Sequence, residues 1–63
     1  MTQKELLYIE DAIEHECTII SICEDIIDNL EDEGLVSFME EQLEKHTNMK
    51  NDLITILEDK NNE

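Results

Sequence analysis

Along this chain, apolar side chains return every three or four residues through two long stretches. In the first, Ile9, Ile13, Ile20, Cys23, Ile27 and Leu30 mark one line, and Ala12, Ile19 and Ile26 widen it. That spacing is the period of an α-helix, and it outweighs the slight preference of isoleucine for strands. Just upstream, Thr2-Gln3-Lys4-Glu5 has the form of a capping box, in which threonine caps the helix and glutamate reaches back to it. A first helix is predicted over residues 3–30. Glu31-Asp32-Glu33-Gly34 then breaks the pattern, giving a turn at 31–34 with Asp32 as the cap of a second helix and Gly34 letting the chain reverse. The second stretch places Leu35, Phe38, Met39, Leu43, Met49, Leu53, Ile56 and Leu57 on one face. It predicts a helix over 34–58, followed by a disordered tail at 59–63.

So short a connection forces the helices antiparallel, as one hairpin domain spanning residues 1–63. The fold class is all-α. A two-helix hairpin cannot cover its own apolar surface. The stripe on the first helix covers about half the circumference at 100° per residue, wider than one partner helix requires. Two hairpins closing into a four-helix bundle are the usual solution, so a homodimer or higher assembly is expected.

Two polar residues fall inside the apolar arcs. Glu16 lies near the centre of the first helix's arc, and His46 near the centre of the second, with Gln42 one turn before it. With the chain turning around 31–33, Glu16 comes opposite roughly Met49 and His46 opposite roughly Ile19. The two levels differ by about 4–5 Å, a gap that side chains bridge. The favoured reading is a Glu16–His46 hydrogen bond, with Gln42 beside it, fixing register and oligomeric state. An unpaired carboxylate there would tend to protonate. A metal site at Glu16 and His46 is a weaker reading, because carboxylate-bridged di-metal bundles use Glu-x-x-His. Leu43 stands three residues before His46, and Ala12 three before His15. Acid–base catalysis is weaker still, with no sign of a substrate pocket or nucleophile. No catalytic residue, metal or cofactor is expected. Asp11 and His15, one turn apart, are placed to pair on the surface.

Composition sharpens this picture. The chain of 63 residues has no proline, one glycine and no tryptophan, which argues against an all-β fold. Eighteen acids against four basic residues give a net charge of −14. Such a surface repels nucleic acid and anionic membranes, so direct binding to either is excluded as a working function. No apolar run approaches the roughly 18 residues of a membrane span, and the N-terminus lacks the apolar segment of a signal peptide, so a cytoplasmic location is expected. Cys17 and Cys23, six residues apart on a helix, cannot bridge within one chain and are expected as buried free thiols. The densest acid lies at Glu24, Asp25, Asp28, Glu31, Asp32 and Glu33, with no base among them. The end of a helix disfavours such charge. This tip is a candidate docking surface for a basic protein, in the manner of acidic decoys that mimic nucleic acid, or a weak divalent-cation site. It lacks the ligand spacing of an EF-hand loop.

KELLYIEDAIEHE (4–16), the Asp32-led turn into Leu35, and LEKHTNMKNDLITIL (43–57) resemble the small spore coat proteins of the coat F type from spore-forming Firmicutes. The resemblance runs over nearly the whole chain through short, helix-biased motifs. It implies a hairpin that assembles into ferritin-like bundles in the coat after synthesis in the mother-cell cytoplasm. Glu10, Asp11, His15 and Glu16 match the family's Glu-Asp…His-Glu pattern, and His46 its second-helix histidine. Met49 stands where relatives carry a further histidine, Glu33 where they carry a turn proline, and Glu14 where they carry glycine. The leading expectation is a non-enzymatic, self-assembling structural protein resembling a spore coat component. An acidic decoy for a basic nucleic-acid-handling protein is second, and a ferritin-like metal binder third.

Overall fold

The structure, a computed structural model, describes residues 1–61. It is all-helical: α1 (Gln3–Asn29) and α2 (Glu33–Asn61) pack against each other as a hairpin. The Cα atoms fill a rod of 47 × 15 × 11 Å. No helix among the described residues is long and apolar enough to cross a membrane.

Both helices begin where a side chain satisfies their first free N–H groups. At α1 the Glu5 N–H donates to Thr2 Oγ1 at 3.1 Å, and the Thr2 N–H donates to Glu5 Oε1 at 2.8 Å. That backbone donor, with the Thr2 hydroxyl second, holds the Glu5 carboxyl below its ordinary range. At α2 the Leu35 N–H donates to Asp32 Oδ1 at 2.9 Å, and the Val36 N–H donates to the Asp32 carbonyl at 3.0 Å. Asp32→Ala removes this cap and is expected to lower stability by about 1 kcal/mol. Asp28→Ala, at an exposed position that caps nothing, is expected to stay within about 0.5 kcal/mol. Urea titration of the two variants checks the difference.

The reversal differs from the expected one. α1 stops at Asn29, and Leu30 turns extended (φ −91°, ψ 141°), its N–H donating to the Ile27 carbonyl at 3.3 Å. Gly34 does not make the turn. It lies within the first turn of α2, and no glycine has a positive φ. A Cβ there would sit 3.2 Å from Asp32 Oδ1, the capping oxygen, so the small residue leaves that carboxylate room.

Helix α2 also runs further than expected. Asp59, Lys60 and Asn61, expected in a disordered tail, are helical; residues 62 and 63 lie outside the described residues. No glycine or proline stops the helix there, and Lys60 in its last turn complements the helix dipole. The open end of α1 lies alongside. Met1, Glu5, Tyr8, Ile9, Ile56 and Lys60 line a shallow groove of about 490 Å³ between the two helices.

Candidate functional site

The centre of the hairpin holds a short contact between side chains. His46 Nδ1 lies 2.6 Å from Glu16 Oε2, joining residues 30 apart in sequence. An ionised carboxylate only accepts, so against that form Nδ1 carries the hydrogen and donates. Glu16 retains 8% of its exposure and is the buried polar residue of the hairpin; its partner ring is a quarter exposed. The pairing is tighter than the expected register, which set Glu16 against Met49. The shift of about three residues follows from the early end of α1 and the three-residue turn. Gln42, one turn before His46, is half-buried and is not joined to the pair. Asp11 and His15 are exposed and form no ion pair.

Chemically, one carboxylate and one imidazole meet at this point. No group of three or more His, Cys, Asp or Glu converges among the described residues. Cys23 is buried in the seam, whereas Cys17, expected to be buried, is exposed; both thiols are free. The correction has a simple cause. Cys17 directly follows Glu16, about 100° away around the helix, and Glu16 faces the partner helix.

The six acids of the tip, Glu24, Asp25, Asp28, Glu31, Asp32 and Glu33, are all exposed. One of them is already committed: Asp32 holds the first turn of α2.

The larger feature is an apolar face. Cys23, at 5% exposure, is the one hydrophobic residue classed as buried among those described, and no large side chain is fully enclosed. The expected face of α2 divides in two. Met39, Leu43, Leu53 and Leu57 are half-buried against α1, joined there by Val36, Thr47, Lys50 and Ile54. Leu35, Phe38, Met49 and Ile56 remain exposed. On α1, Tyr8, Ile22 and Ile26 are exposed in the same way. At 100° per residue, Tyr8, Ile22 and Ile26 fall within about 40° of one another, displaced about 100° from the direction of the seam. Phe38, Met49 and Ile56 fall within about 20°, displaced by a similar angle. Because the helices are antiparallel, equal displacements of the same sense bring both stripes to one side of the hairpin. The groove shared by Tyr8 and Ile56 joins them at the open end. Leu7, also exposed, lies on the back of α1, away from the seam and about 90° from the stripe. Tyr8 and Ile22 were outside the expected apolar set, although their spacing with Ile19 and Ile26 is helical.

Comparison of the chain with protein-family models, curated proteins and solved structures finds no match.

Proposed function

We propose that this chain is a non-enzymatic, self-assembling structural protein whose unit is a homodimer, two hairpins closing face to face into a four-helix bundle. The observation that supports this reading is the missing core. A single hairpin encloses one cysteine and one glutamate, while Phe38 and Ile22 keep 55% and 50% of their exposure along a continuous face. Small domains are marginal even with a complete core, and oligomerisation is one of the remedies open to them. The bundle suits the spore-coat setting implied by residues 4–16 and 43–57. In it Glu16, Gln42 and His46 form the internal polar layer that sets register.

Sedimentation and thermal melting test the proposal. The protein is expected to sediment as a dimer at micromolar concentration, and each tenfold dilution to lower the melting midpoint by about 5 °C. A compact monomer whose melting ignores concentration would end the reading. Salt gives a second signature. Two copies of charge −14 repel, so screening tightens the dimer.

A second reading rests on the exposed acids Glu24 to Glu33, which suit a basic protein as partner. Such capture weakens as salt rises, opposite in sign to self-association.

A further inference from the structure

We infer that the second copy docks on the apolar face in the reverse direction, the tip of each hairpin lying over the open end of the other. The inference rests on the self-association proposed above and adds the face used and the relative orientation.

Area sets the first condition. The face extends from Tyr8 to Ile26 on α1 and from Phe38 to Ile56 on α2, about 27 Å of a rod 47 Å long and 15 Å wide. The apolar stripes alone give a footprint of roughly 400 Å² per copy, or about 800 Å² for a pair, so the polar flanks and rod ends must join the contact to reach a stable interface. Charge is the second. Residues 17 to 44 hold nine of the eighteen acids and no lysine. Residues 1 to 16 and 45 to 63 hold the other nine acids and all four lysines. The Glu16–His46 pair marks the boundary, so the tip half carries −9 and the remainder −5 before the chain termini. Around the helices at 100° per residue, Lys4, Lys45 and Lys60 lie within about 35° of the apolar stripes and Asp11 and Asp52 within about 50°, whereas Glu24 and Asp28 lie towards the other side.

Two hairpins set tip to tip would crowd two sets of six acids at one end. Reversed about a two-fold axis at the level of Glu16 and His46, they bring Lys4 and Lys60 of one copy level with Glu31 and Asp32 of the other. The same operation matches the apolar residues. Tyr8 lies eight residues from the axis on one side, and Ile22 and Phe38 lie at a similar distance on the other. Ile56 and Ile26 correspond in the same way. An isologous contact needs such self-complementarity, since each residue meets its counterpart twice. A basic partner would meet Lys4, Lys45 and Lys60, three of the chain's four lysines, at the flanks of this face.

Spin labels read the orientation directly. Glu31→Cys and Lys4→Cys, each in a Cys17→Ser background, place labels at the exposed tip and open end. With an axial rise of 1.5 Å per residue, reversed hairpins give a 31-to-31 separation of about 45 Å. Chains labelled at 31 mixed with chains labelled at 4 then give a separation under about 20 Å. A 31-to-31 separation under about 20 Å overturns the orientation while leaving self-association intact. Absence of dipolar coupling together with monomeric sedimentation overturns both.

Discussion

Ile22→Glu is expected to weaken self-association by more than a thousandfold. In a lone hairpin Ile22 is half exposed, so an exchange for glutamate there would alter stability by no more than about 0.5 kcal/mol. In the proposed dimer the same side chain is covered. With half of Ile22 already covered in the monomer, each copy loses about 0.7–1.5 kcal/mol of apolar burial. A carboxylate is also stranded at each of two symmetric positions. Together these reach on the order of 5 kcal/mol, enough to move a micromolar dimer into the millimolar range. Ser21→Glu supplies the control. It adds the same charge at an exposed position about 130° around α1 from the stripe, and should change the dissociation constant less than tenfold. Sedimentation equilibrium of the two variants checks the contrast; equal effects would remove the apolar face as the contact surface.

Breaking the central pair should have the next largest effect. His46→Leu leaves the Glu16 carboxylate in the seam without its partner. For a fully buried pair that costs about 3–5 kcal/mol, and since the His46 and Glu16 side chains keep 25% and 11% exposure, about 2–3 kcal/mol is expected here. Glu16→Leu/His46→Leu removes both polar groups and should restore stability to near that of the parent or above it, because no desolvated charge remains. Urea unfolding measures the cycle. The register role predicts a separate outcome for the double variant: a mixture of oligomers or hairpin offsets in place of one species. A double variant that forms the same single dimer would show that the pair stabilises without specifying.

Much of the hairpin is legible in local residue order. Capping by Thr2 and Asp32 depends on atoms three residues away, and the structure places both caps where the motifs put them. The meeting of Glu16 and His46 also follows from position, since each sits at the middle of its own arc and the turn brings the two arcs together. Other features were not legible. Phe38 and Leu43 belong to the same half-circumference stripe, and nothing local distinguishes which turns inward. The end of α2 was placed early because Asp59-Lys60-Asn61 has no apolar period, yet the adjacent start of α1 provides a neighbour for that turn.

By itself, then, the order of residues determined that there are two helices, where they begin, that they run antiparallel and that a glutamate and a histidine share their seam. These depend on interactions within a few residues or on a connection too short to allow another path. Only the tertiary structure decided which half of each wide stripe closes the hairpin and which stays bare. It also decided the register of Glu16 against His46 and the exposure of Cys17. Those outcomes depend on the rotation of one helix about another, which packing sets and helical periodicity leaves open.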